Sequence, residues 1–363
     1  MKRDAPVLDA ESCAWMVRRL TDRVSCITLL DEHIIAGDWS GGVSCWTTAG
    51  DSVWEHAAPD RVSSIAVADD IVALASGIDI VALSMEGGQE LWKQKLEGSA
   101  DEVISLPNTG MVHATSSVFD IEHGDFMESA YWRFDRSGEL LEVHRFDERP
   151  WHISVEADRV LLGLGRPRCG MLILAGDELE WEDLVDDDPV ACGITDGGKT
   201  VLGHSKGAVS IVENADKNII AQLESGVEAI SFNEFGYYVI TEQGLRILDL
   251  SGNILATRDI SMISDSVASF SPIDENPSLW LVINNRLVSF NRECDEIAVI
   301  EFRTPPTSLT ARGNMMAVGL EDGTLYVFQS ELIRRRFDSM NSGAEEGDSH
   351  RLSMLDKLRR LRD

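Results

Sequence analysis

"MAVGLEDGTLYVFQ", residues 316–329, and "IIAGDWSGGVSCWT", residues 34–47, are two copies of one phrase, one near each end of the chain. Each holds an apolar pair, a Gly, three residues, a second Gly and an alternating apolar run. Laid along the chain, this template marks unit starts at Val24, Val62, Val103, Pro150, Val190, Val227, Val267 and Pro306. The starts recur about every 40 residues, with only the unit from Val103 noticeably long, and a fixed period of this length is the mark of a repeat architecture. Agreement inside the units is finer still. In three units the two Gly stand at the same two offsets from the start (Gly37 and Gly41, Gly203 and Gly207, Gly319 and Gly323), and Gly244 keeps the second offset after Val227.

Each unit reads as four short strands. Residues 61–98, "RVSSIAVADDIVALASGIDIVALSMEGGQELWKQKLEG", show apolar runs at Val62–Val67, "IVALA", "DIVALS" and "ELWKQKL", punctuated by Gly, Asp and Ser. Strands so short, joined by tight turns, form antiparallel meanders. The second and third are joined by "DWSG", "HSKG", "TEQG" or "LEDG", whose closing Gly supplies the positive φ of a bulged hairpin turn. The repeated Gly is therefore a backbone requirement and no phosphate-cradling signal.

Four antiparallel strands in about 40 residues, repeated eight times, make the blades of a β-propeller. Units such as "AVGLEDGTLYVF" and "AGDWSGGVSCW" resemble WD-repeat blades, without that family's Gly-His and Trp-Asp pairs. Units such as "IVALSMEGGQELWKQKLEG" and "TTAGDSVWEH" resemble quinoprotein (pyrroloquinoline-quinone) repeats, in which an outer-strand Trp packs against the next blade. The expected fold is all-β: a single propeller over residues 11–330 with eight four-stranded blades, seven being the alternative. Trp54, Trp92 and Trp181 each stand a short and similar distance before the start of a later unit, and Trp15 stands in the same way before Val24. The segment 11–20 thus has the spacing of an outer strand without a blade of its own. It should complete the last blade, which has three strands, and so lie beside Tyr326 and Phe328. "SELIRRRF", residues 330–337, is the competing fourth strand.

Beyond the ring, residues 331–350 read as a linker and residues 351–363, "RLSMLDKLRRLRD", as a short amphipathic basic helix. Its Leu355, Leu358 and Leu361 share a side, with Arg359 among the cations, and it would dock on a surface, because so short a helix is not stable alone. The charge contrast is large: the chain carries -30 in all, and residues 331–363 carry 8 basic and 7 acidic groups. Such an acidic body repels nucleic acid and anionic lipid, so neither a nucleic-acid partner nor peripheral membrane contact through the tail is expected. It suits either a salty cytosol or a basic partner.

No apolar run is long enough for a membrane helix, and the start lacks the apolar stretch of a secretory signal. Six scattered cysteines without a C-x-x-C pair fit reduced thiols, so a cytoplasmic protein is expected. No H-x-x-x-H, G-x-S-x-G or Cys/His arrangement points to catalysis or to a metal, and no cofactor is expected.

The propeller resemblance implies that the turns between second and third strands share one face, around the channel, with the links between blades. Candidate contact residues there are Trp39 in "DWSG", the acidic run Asp186, Asp187 and Asp188, and Arg166 with Arg168 in "GRPRCG". The longest unit adds Phe119, Phe126, Met127 and Tyr131 in "SSVFDIEHGDFMESAYW", residues 116–132. The expected function is a non-catalytic scaffold for protein partners. The alternative is an enzyme or small-ligand binder that uses the channel mouth.

Overall fold

The computed structural model describes residues 5–156, 159–176, 178–213, 216–261, 263–270 and 278–341. Eight antiparallel sheets follow one another along the chain, each with four strands in meander order apart from those that take a strand from the N-terminus. Blade 1 covers Val24–Ala57, blade 2 Val62–Lys95, blade 3 Ser99–Phe146, blade 4 Pro150–Glu182, blade 5 Val190–Gln222, blade 6 Val227–Asp259, blade 7 Ile263–Glu301 and blade 8 Pro306–Gln329. The inner strands of successive blades touch in sequence, and the first touches that of blade 8, so the ring closes. Sequence patterning differs by position within a blade. Ile71–Ser76, a second strand, is buried at every residue, because neighbouring blades cover both of its faces. Glu90–Lys95, an outer strand, is exposed at Glu90, Leu91, Lys93 and Lys95, with Trp92 and Gln94 more covered.

The two recurring Gly positions have separate causes. A Cβ on Gly37, Gly203 or Gly319 would stand 2.8, 2.4 or 2.4 Å from the first Val of the next blade (Val62, Val227, Val24). These residues let the blades approach. The second set, Gly41, Gly207 and Gly323, has φ of 92°, 98° and 84°, as the turns between second and third strands require.

Tryptophan docking joins the first blades. The Trp54 indole lies on Gly88 and donates to the Met85 carbonyl at 2.8 Å. Trp92 lies on Gly138 and donates to the Arg136 carbonyl at 3.0 Å, and Trp15 donates to the Thr48 carbonyl at 2.9 Å. At the inner edge a chain of hydroxyls does the same work. Thr307 Oγ1 donates to the Val24 carbonyl at 2.7 Å, Ser25 to the Val62 carbonyl, and Ser63 to the Ala100 carbonyl at 2.9 Å.

That last bond corrects the start of blade 3. In every blade but the seventh a bulge follows the first residue of the repeat, as between Val24 and Cys26 or Val62 and Ser64. In blade 3 the bulge lies between Ala100 and Glu102, so Ala100 and not Val103 is the equivalent residue. In blade 7 Ile263, not Val267, pairs with the end of the second strand at Ile283, as Val24 pairs with Asp38.

Closure follows the expected path. Met16–Arg19 is the outer strand of blade 8, antiparallel to Thr324–Gln329, with Met16 opposite Val327 and Val17 opposite Tyr326. Trp15 N–H donates to the Val327 carbonyl at 2.8 Å. The N-terminus also does something unexpected: Val7–Asp9 joins blade 7 as a fifth strand, parallel to Glu296–Glu301. Between these two strands runs a short helix, α1 (Ala10–Cys13), capped by the Asp9 carboxylate, which accepts from Ser12 N at 2.9 Å. One N-terminal segment therefore clasps two blades.

The competing outer strand at 330–337 is a helix, α2 (Ser330–Asn341), and the stretch expected as a linker is helical as far as Asn341. Ile333 of α2 is fully buried, and it packs with Phe337, Leu8 and Cys13 on the cluster that holds Tyr326 and Phe328. Because Met16–Arg19 already pairs with the third strand of blade 8, residues 330–337 have no ladder to join, and their apolar stripe seals the clasp instead. The tail helix expected at 351–363, with Leu355, Leu358, Arg359 and Leu361, lies outside the described residues.

Candidate functional site: the arginine and aromatic face of blades 1 to 4

In six blades the residue before the first strand residue of the repeat accepts a backbone hydrogen bond from the turn between the second and third strands. The donors to Arg23, Arg61 and Arg149 are Trp39, Gly77 and Gly165, at 3.0, 3.1 and 2.8 Å. Pro189, Gly226 and Pro305 accept in the same way in blades 5, 6 and 8. The position is thus fixed by the repeat, on the face where turns and links meet. Three of its occupants are arginines, in blades 1, 2 and 4.

These arginines lean on aromatic rings. The guanidinium carbons of Arg23 and Arg61 lie 5.0 and 4.2 Å from the Trp39 ring. That of Arg149 lies 4.0 Å from Phe126 and 4.2 Å from Trp151. Phe126 in turn meets Phe119 edge-on at 5.1 Å and Trp151 at 6.1 Å. Trp39, Phe119 and Trp151 are 42%, 52% and 43% exposed. The wall is the hairpin of blade 3, whose strands Val112–Asp120 and Asp125–Phe134 are the longest in the ring. Ile121, at the tip of the hairpin, is 87% exposed.

A cavity of about 480 Å³ opens between Arg61 and Arg149, floored by Ser63, Ala100 and Asp101. Asp101 accepts from Arg149 at 3.1 Å. Burial raises the Asp101 carboxyl, and the Arg149 charge only partly offsets this. On the same inner strand Glu102 is pushed up to about 7 by burial and by the neighbouring Asp101, against the Ile153 N–H that favours its carboxylate. Arg23 and Arg61 have no ion-pair partner among the described residues, and the Nε atoms of Arg23 and Arg149 are buried without a hydrogen bond.

Several residues singled out from sequence meet here and others do not. Trp39, Phe119 and Phe126 belong to the face, and Met127 is exposed on the adjoining hairpin. Tyr131 does not: it is 1% exposed, and its hydroxyl lies 2.6 Å from His113 Nδ1 inside blade 3. Strand alternation turns it inward. Asp188 is also no surface charge. It is 2% exposed, and its carboxylate accepts from Lys206 N at 2.6 Å and Ala208 N at 3.4 Å, stapling the turn of blade 5. Asp38 plays the same part in blade 1, accepting from Ser40 N at 3.0 Å and Gly42 N at 2.7 Å.

Asp187 pairs with Lys206 at 2.5 Å, and that bond, helped by Arg166, lowers its carboxyl, while Asp186 is exposed beside it. Arg168 stacks over Trp181 at 4.4 Å, toward the outer strand. Arg23, Arg61, Arg149 and Trp151 were not foreseen. Their signal is in the sequence: "DRVS" at 22–25 and 60–63, and "ERPW" at 148–151, put Arg at one repeat position.

The buried histidines serve the core. His152 Nε2 lies 2.8 Å from Thr195 Oγ1, and burial pushes both His113 and His152 down to about 4.

The protein is an eight-bladed β-propeller whose first blades are joined by outer-strand tryptophans docked on the next blade. No protein-family model matches the sequence, and no curated protein matches it. Solved structures do. BamB from Moraxella catarrhalis is similar at 14% identity and a TM-score of 0.68, over 87% of this chain and 97% of that one. Sqt1 from Saccharomyces cerevisiae is similar at 10% identity and a TM-score of 0.67, over 89% and 99%. The computationally designed protein Ika8 is similar at 13% identity and a TM-score of 0.65, over 86% and 98%. At such identities the likeness concerns the fold.

Proposed function

We propose that the protein is a non-catalytic interaction scaffold, which engages a protein partner through the face of blades 1 to 4 around the channel mouth. The observation that carries this reading is the set of exposed aromatic rings braced by arginines on turns that the ring holds rigid. Trp and Arg dominate the energetics of protein interfaces, and side chains already fixed before binding lose little entropy on contact. The six cysteines, all unpaired, are in keeping with a reducing compartment such as the cytoplasm. Among the described residues no helix is long and apolar enough to cross a membrane. A second reading, small-ligand binding at the channel mouth, is favoured by one feature, the cavity lined by Asp60, Arg61, Asp101 and Arg149, in which burial raises the Asp101 carboxyl.

Affinity capture from lysate at native salt tests the reading. Wild-type protein should retain a reproducible protein partner that Trp39→Ala loses. The reading falls if no partner is retained while a metabolite panel shifts the melting temperature.

A further inference from the structure

We infer that the cleft running from Trp39 past Arg61 to Arg149 receives a carboxylate-rich, extended segment of the partner protein. This rests on the interaction reading above and adds the chemistry of the occupant. The charge of the chain is -30, yet this face carries three cations at one repeat position; Asp60 and Asp101 also line the cavity, but Arg23 and Arg61 have no carboxylate partner among the described residues. A guanidinium held over a ring keeps its in-plane N–H donors pointing outward, and carboxylates take them in pairs. The third, Arg149, gives one terminal nitrogen to Asp101 and has its Nε–H buried, so its other terminal nitrogen is the donor left for an occupant.

The spacing of features selects a peptide over a compact anion. Cation and aromatic alternate across the face, from Trp39 between Arg23 and Arg61 to Phe126 and Trp151 around Arg149. An extended strand places alternate side chains on one side, so acidic residues can meet the arginines while apolar residues between them meet Trp39, Phe126 and Phe119. The hairpin of blade 3 bounds the cleft on one side. Long-range repulsion from the acidic body opposes association, but it is screened at physiological salt within about 8 Å, whereas contacts at hydrogen-bond distance survive.

The test uses fluorescence anisotropy with the full chain and three labelled probes: a dodecapeptide alternating Glu with Leu or Phe, the same peptide with Lys for Glu, and a dT12 oligonucleotide. The acidic peptide should bind and the other two should not. Arg61→Glu and Arg23→Glu should each weaken binding at least tenfold. Arg292→Glu should not, although Arg292 makes the same kind of contact, 5.1 Å from Phe235 on the opposite face. Circular dichroism of each variant confirms the fold. Tighter binding of the Lys peptide, equal binding of dT12, or acidic binding indifferent to Arg61 and Arg23 would each overturn the inference. Should the acidic peptide fail while capture of a protein partner still depends on Trp39, the scaffold stands and this occupant is wrong. Loss of both refutes the two together.

Discussion

Gly319→Ala tests the reason for the repeat most directly. The backbone at Gly319 is not left-handed, so Ala can adopt it, and replacing Gly should by itself stabilise by about 0.4–1 kcal/mol through the unfolded chain. The added Cβ, however, would stand 2.4 Å from Val24 Cγ1 and 2.5 Å from both Val24 Cβ and Ser308 Oγ. Ordinary contact begins near 3.4 Å, so blades 8 and 1 must part by about 1 Å at their inner strands. Because the obstacle includes a Cβ rather than a flexible tip, the overpacking cost belongs at the upper end of about 1–3 kcal/mol. Set against the gain through the unfolded chain, the net expectation is a loss of about 2 kcal/mol. In urea, with a slope of about 3 kcal/mol/M or more for a chain this long, the midpoint should fall by roughly 0.5 M with the slope unchanged.

Gly37→Ala and Gly203→Ala face Val62 and Val227 in the same way and should behave alike. Gly313→Ala is the contrast. Nothing lies within 4 Å of its Cβ, but φ is +56°, so only the left-handed backbone is penalised, by about 1–2 kcal/mol. A Gly319→Ala midpoint equal to or above wild type would refute the claim that close approach of blades dictates this Gly.

Removing residues 1–20 bares Leu325 and Val327, both fully buried, and should abolish the monomer on size-exclusion chromatography, while a synthetic peptide of residues 5–20 added in trans should restore it. Trp54→Ala removes a side chain only 6% exposed together with its bond to Met85, and should cost about 3–5 kcal/mol in equilibrium unfolding. Glu102 in the folded state binds its proton up to about pH 7, well above the ordinary value of 4.5, so stability is lost as pH rises between these values. Glu102→Gln should therefore gain stability over wild type from pH 4.5 upward, with the gain levelling off above about 7 in unfolding midpoints measured across pH. His113 and His152 work in the other direction. Their folded-state values near 4 lie below 6.5, so wild-type protein should lose stability as pH falls from 6.5 toward 4, and this loss should persist in Glu102→Gln.

The blades were legible because each is a local object. Four short strands and their turns are contiguous in the chain, so period, Gly spacing and outer-strand Trp can all be read from residues close together. The spacing of Trp15 even announced the closing strand, since a missing outer strand and an unattached one carry the same signature. Registers were less visible. Val103 and Ala100 are both apolar, and only the bulge that skips Asp101 shows which of them begins the repeat. A bulge is a matter of hydrogen bonding that leaves no composition signal. Tyr131 and Asp188 were misplaced for a related reason: an aromatic and an acid look like surface groups until strand alternation or a turn's unpaired N–H groups claim them.

The amino-acid sequence by itself determined the repeat and the all-β blades, and favoured eight of them closed by an N-terminal strand, because these depend on spacing within a single blade and on one strand left over at the N-terminus. The tertiary structure alone decided that Val7–Asp9 clasps blade 7, that residues 330–341 turn helical to seal the seam, and that Arg23, Arg61 and Arg149 converge on one face with Trp39, Phe126 and Trp151. Those contacts join different blades and even the two ends of the ring, and its curvature, which no single blade contains, brings them together.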